Sequence, residues 1–160
     1  MIKRLKTEER QDKEMELNMV FLTLEGKHLN PEKISKDLNI IPEYRGKLGE
    51  PFGKNKKYKQ GYWLIDGGLN RWKIETQMKH IIKKISPVKY KLQKLIKEDK
   101  TIERASLTIV LDLPEKVFNP CYYFSSDIIN EFTALGIDIE LSIHLKSKWD
   151  KFFAKKKAAH

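Results

Sequence analysis

The sequence predicts an α+β fold: a small, mostly antiparallel four-stranded sheet with helices packed on one face. Three observations predict it. Ile137 to Leu145 alternates without a fault, with Ile137, Ile139, Leu141, Ile143 and Leu145 on one side and Asp138, Glu140, Ser142 and His144 on the other. That is the pattern of a strand with one buried and one wet face. Ile74, Met78, Ile81, Ile82 and Ile85 recur at helical spacing, an apolar stripe that needs a surface to cover. The chain also orders its periodic segments as strand, helix, strand, helix pair, strand, helix, strand, for which helices on one face of a sheet are the economical packing.

The elements follow in order. Met15 to Leu24 reads as a strand covered on both sides for part of its length, with Met15, Leu17, Met19 and Phe21 on one face and Val20, Leu22 and Leu24 on the other. Asn30-Pro31-Glu32 opens a short helix as N-cap, first helical residue and favourable charge at the positive end of the dipole. Ile34 and Leu38 face the core, and the helix stops near Asn39 because Pro42 disfavours helix before it. Residues 43–61 carry Gly46, Gly49, Pro51, Gly53 and Gly61 and read as a long mobile loop. A short strand, Gly61 to Ile65, ends at Asp66-Gly67-Gly68. After the Ile74–Ile85 helix, Ser86 and Pro87 break and restart it, leading a second amphipathic segment with Val88, Leu92, Leu95 and Ile96. Thr101 to Leu113 is a strand with Leu107, Ile109, Leu111 and Leu113 on one face. Pro114 and Pro120 bracket a connection, and Ser125-Ser126-Asp127 caps a helix with Ile128, Ile129, Phe132 and Leu135 that Gly136 stops.

Taken in order, Leu29 to Ile34 with Leu38, Ile40, Pro42 and Gly46, then Trp63 in Gly61-Tyr62-Trp63-Leu64, the break Ile85-Ser86-Pro87, and Ala134 to Ile139 resemble a bacterial domain-of-unknown-function family, number four-two-seven-nine. The resemblance spans about residues 15 to 145 and implies one compact bacterial domain. It carries over no catalytic or binding residue. Residues 1–14 form a charged arm before the 15–145 domain, and residues 146–160 form a basic aromatic tail after it. In the tail Trp149, Phe152 and Phe153 share one helical face, expected to dock on the domain itself.

At 160 residues the chain has the length of one domain, and 40% apolar content argues against disorder. The single cysteine, Cys121, excludes an internal disulfide and a cysteine-cluster zinc site. No apolar run approaches the roughly 20 residues of a membrane span, and Met1 to Glu16 has no apolar stretch of a signal peptide. A cytoplasmic location is the expectation. The charge is unevenly spread: residues 45–100 hold 16 bases and 5 acids, residues 101–145 hold 2 and 7, and the net charge is +10. Such a field draws anionic partners. Lysine supplies 27 of the 32 bases, a flexible point charge where arginine would be the planar reader of phosphates and guanine edges.

Five groupings are candidate sites. The outward row Asp138, Glu140, Ser142 and His144 has acid, hydroxyl and imidazole, but neighbours on one strand do not converge on a reacting atom. His28, His80, His144 and His160 lack metal-ligand spacing, and Cys121 has no nucleophile motif around it. Gly67-Gly68 before a helix is better explained as a turn than as an anion cradle. The best candidate is the lysine-rich segment with interleaved aromatics, represented by Lys54, Lys56, Lys57, Tyr58, Lys59 and Trp63. The expected function is therefore non-enzymatic binding of an acidic protein partner through this basic loop and the helix face, without metal or cofactor. Nucleic acid is the alternative partner, its bases stacking on the aromatics while ammonium groups track phosphates.

Overall fold

A computed structural model describes residues 18–52, 54–68, 73–113 and 122–145. The charged arm, the start of the first strand at Met15 to Leu17, the connection 114–120, Cys121, the side chains of Leu113 and Leu145, and the aromatic tail lie outside the described residues. The chain runs β1 (Met19–Gly26), α1 (Pro31–Leu38), β2 (Tyr44–Gly46), β3 (Gly61–Asp66), α2 (Ile74–Ile85), a 3-10 turn (Ser86–Val88), α3 (Lys89–Glu98), β4 (Arg104–Leu113), α4 (Ser126–Thr133) and β5 (Asp138–Leu145).

The class is α+β, but the sheet has five strands, ordered β2-β3-β1-β4-β5. The added strand, β2, is three residues long and sits inside the stretch expected to be loop. Its alternation is too short to read along the chain, and it exists because β3 offers it an edge. β4 and β5 are parallel and the other pairs antiparallel, so the sheet is mixed. The segment from Ser126 to Gly136, between β4 and β5, makes a helical crossover, which is the connection a parallel pair requires.

The local capping signals are realised at α1, whereas the expected cap Ser125 makes no side-chain cap hydrogen bond at the start of α4. Asn30 Oδ1 accepts from Lys33 N at 3.3 Å, and Asn39 adopts the left-handed conformation with φ 53° that closes α1. Ser86 behaves differently from a cap: its hydroxyl donates back to Ile82 O at 2.7 Å, and α3 begins only at Lys89, after the 3-10 turn. Proline at the second position of that turn removes a donor the helix would have needed.

One apolar cluster joins the helices to a single face of the sheet. Val20, Leu22 and Leu24 of β1, Trp63 and Ile65 of β3, and Leu107, Ile109 and Leu111 of β4 meet Ile34, Leu38, Ile74, Met78, Ile81, Ile85, Leu92, Ile128 and Phe132. At the β1–α2 junction the contact is polar: Gln77 Nε2 donates to Asn18 O and Gln77 Oε1 accepts from Val20 N, each at 2.9 Å. Gly67 makes that approach feasible, because a Cβ there would stand 2.5 Å from Gln77 Cβ.

The expected burial of β5 holds only for its first half. Ile137 is buried and Ile139 partly so, while Leu141 and Ile143 are 55% and 53% exposed. Eight helical residues span about 12 Å, whereas eight strand residues span about 26 Å. α4 is therefore too short to roof the whole of β5.

Candidate binding hairpin and the open sheet face

The stretch expected to be a mobile loop is a hydrogen-bonded hairpin. Gly49 N donates to Tyr58 O at 2.8 Å, Tyr58 N to Glu50 O at 2.9 Å and Phe52 N to Lys56 O at 2.8 Å, with Pro51 and Lys57 bridged across it. Its base is tied down twice: Lys47 N donates to Glu50 Oε2, and Lys47 Nζ pairs with Glu32 of α1 at 2.7 Å. The hydrogen bond from Lys47 holds the Glu32 carboxyl below the usual carboxylate range.

The aromatics of the segment have a structural role. Tyr58 lies over Gly46, where any Cβ would run into its ring. Phe52 packs on Tyr58 with centroids 4.7 Å apart, and Tyr58 stacks on Tyr62 at 6.4 Å. Burial raises the Tyr62 phenol above its ordinary range, opposed in part by its hydrogen bond with Thr23. The hairpin is thus bolted to the sheet by its rings while Lys54, Lys56, Lys57 and Lys59 point outward, all exposed. None of these four lysines has an ion-pair partner among the described residues.

Trp63 does not belong to this surface. It is 0% exposed, on the helix side of β3, and its Nε1 donates to Ser35 Oγ of α1 at 3.0 Å. Strand alternation decides the matter: Tyr62 and Trp63 are adjacent in sequence and on opposite faces. The other five residues singled out in the sequence do share the hairpin.

No helix of the described residues packs on the second sheet face, and the register lays out its rows. Tyr44, Leu64, Thr23, Ser106 and Asp138 form one row across the five strands. Asp66, Phe21, Thr108 and Glu140 form the next, and Met19, Val110 and Ser142 the one beyond. Glu25, Asp66, Asp112, Asp138 and Glu140 put five carboxylates on this face against Arg104, which pairs with Glu140. Ser142 Oγ and His144 Nε2 lie 3.1 Å apart, so part of the outward row of β5 does come together.

Two of the concavities formed by described residues bear on a site. One, of about 510 Å³, lies between α1 and α3, where Lys33, Lys91, Lys94 and Lys100 alternate with Asp37, Glu98 and Asp99. Its charges are largely used internally, Lys33 with Asp99 at 3.2 Å and Lys94 with Glu98 at 3.9 Å. The Thr101 hydroxyl and amide, with Lys33 beyond them, hold the Asp99 carboxyl below its usual range. The other, of about 550 Å³, is on the open sheet face, bounded by Met19, Phe21, Tyr44, Tyr62, Leu64 and Asp66. Sequence reasoning missed this cleft. Its one visible signal was the phase of Tyr62, Leu64 and Asp66, opposite to Trp63 and Ile65; the contribution of Tyr44 needed β2.

No group of three or more His, Cys, Asp or Glu among the described residues is placed to hold a metal ion, and none of their helices is long and apolar enough to cross a membrane. Among the described residues the architecture thus defines an α+β domain with a helical layer on one side, an open acidic sheet on the other and a lysine-tipped hairpin at the edge. The chain belongs to the family described as Domain of unknown function (DUF4279), whose model matches residues 15–146. No curated protein matches it, and no solved structure does.

Proposed function

We propose that this domain is a non-catalytic binding protein that recognises an acidic surface of a protein partner through Lys54, Lys56, Lys57 and Lys59. The observation that carries the reading is the pairing of a fixed hairpin with four exposed lysines that have no ion-pair partner among the described residues. A pre-organised basic tip loses little backbone entropy on docking, and its exposed lysines bring four positive charges to the contact. The exposed lysines of α2 and α3, among them Lys79, Lys83, Lys91 and Lys97, extend the same sign of potential over the helical layer.

Protein is favoured over single-stranded nucleic acid by the rings. Tyr58 is committed to Gly46 and to the Phe52–Tyr58–Tyr62 stack, so the tyrosine that bases would stack on is already in use.

The test compares the native chain with a variant in which the four lysines are changed to glutamate. Binding to immobilised host proteins is followed by identification of what each chain retains. A partner set with acidic interfaces, kept by the native chain and lost by the variant, is the expected result; an identical set for both overturns the proposal. Random-sequence DNA and RNA are titrated in parallel. Tight binding that collapses steeply with salt, and is lost in the variant, would transfer the hairpin to the nucleic-acid reading.

A further inference from the structure

We propose that the cleft on the open sheet face is a binding site for a small organic cation, an alkylammonium or guanidinium head on a short apolar body. The site is independent of the lysine tip. Its floor is Leu64, 5% exposed, and its rim includes Tyr44 and Met19, 62% and 40% exposed. Phe21 and Tyr62 complete an apolar and aromatic lining, and at about 550 Å³ it is of the size of small-molecule sites.

The chemistry of the ligand follows from what polar groups the lining offers. Asp66 is the charged residue among the described lining, half-buried at the C-terminal end of β3 beside Phe21 in the register. Its Oδ1 accepts from Gly68 N at 2.9 Å, which fixes the carboxylate, while Oδ2 takes no hydrogen bond among the described residues. Asp66 N is in turn held by Glu43 Oε2 at 3.1 Å. Among the described residues no lysine or arginine lines the cleft, and the face around it is the one bearing five carboxylates. A carboxylate presented among aromatic rings satisfies a cation twice, by charge-assisted hydrogen bonding and through the negative faces of the rings. The apolar body then covers Leu64 and Met19. An anion would meet only repulsion here, and a fully polar cation would leave the apolar lining wet.

The experiment is a titration of the full chain with n-butylguanidinium and n-butylammonium, with butyrate and butanol as controls of equal apolar size, read by amide and methyl NMR shifts. The expected result is saturable shifts at Leu64, Phe21, Tyr44 and Asp66 with both cations and none with butyrate. Asp66→Asn keeps the Oδ1 acceptor for Gly68 and so keeps the turn. It should weaken both cations about tenfold, the size expected for losing a charged hydrogen-bond partner. Tyr44→Leu, at an exposed position, should weaken them several-fold with an unchanged fold. Absence of shifts with the cations, equal shifts with butyrate or butanol, or undiminished affinity in Asp66→Asn would each overturn the proposal. None of these results bears on the hairpin, because Lys54, Lys56, Lys57 and Lys59 lie outside this lining.

Discussion

At the scale of single residues, the most consequential side chain is Trp63. In the folded sheet it faces away from the hairpin surface, and its indole is sealed beneath α1 with its N–H on Ser35. Truncating a fully buried tryptophan to alanine costs about 3–5 kcal/mol, so Trp63→Ala should lower the denaturant midpoint severely. Trp63→Phe should cost about 1–2 kcal/mol, the loss of one hydrogen bond and a little volume. Gln77 is a second such residue, invisible in sequence because a glutamine beside an apolar stripe reads as solvent-facing. It is 1% exposed and pairs the N–H of Val20 with the C=O of Asn18 through one amide. Gln77→Leu would strand both backbone groups, each costing about 1–3 kcal/mol when buried and unpaired, and chemical denaturation should report their sum.

At the scale of elements, the hairpin and the α1–α3 seam carry separable predictions. Gly46→Ala places a methyl where the Tyr58 ring lies. It should detach the aromatic stack without touching the core, so hydrogen exchange at the amides of Gly49, Phe52 and Tyr58 should quicken while the melting temperature changes little. The seam is pH-dependent through Asp99, which ties Thr101 at the approach to β4 and Lys33 of α1. Its folded carboxyl titrates below the unfolded one. It therefore adds stability above the unfolded carboxylate range, about pH 4, and that stability is lost as pH falls through the lower folded value. Asp99→Asn should flatten this part of the acid-denaturation curve and leave the neutral-to-alkaline part parallel to the native one.

At the scale of the whole molecule, the charge gradient along the chain becomes a gradient through the fold. Residues 73–100 contribute nine lysines against Glu75, Glu98 and Asp99, mostly on the outer side of α2 and α3. The opposite sheet face carries carboxylates from β1, β3, β4 and β5. Layered alternation separates the signs, because strands put successive residues on opposite faces and helices keep their polar residues on the outer one. Changing all four hairpin lysines to glutamate lowers the net charge by eight units from +10. At these exposed positions each substitution should change the unfolding free energy by no more than about 0.5 kcal/mol, which keeps that variant a usable probe of binding. Binding through the hairpin should also weaken as ionic strength shortens the reach of surface charges.

The amino-acid pattern by itself determined the α+β class, the helix start at Asn30, the helix end near Asn39, the stripes of α2 and α4, and the inward residues Leu107, Ile109 and Leu111 of β4. Each of these rests on contacts within a few positions along the chain, where periodicity and capping chemistry speak directly. Only the tertiary structure decided that residues 44–46 add a fifth strand, that β4 and β5 run parallel, that the lysine segment is a ring-anchored hairpin, and that Trp63 faces the helices. The cleft belongs with these: Tyr44, Leu64, Phe21 and Asp66 meet through strand register. Register depends on pairing between distant segments, an energy that no local stretch of sequence carries.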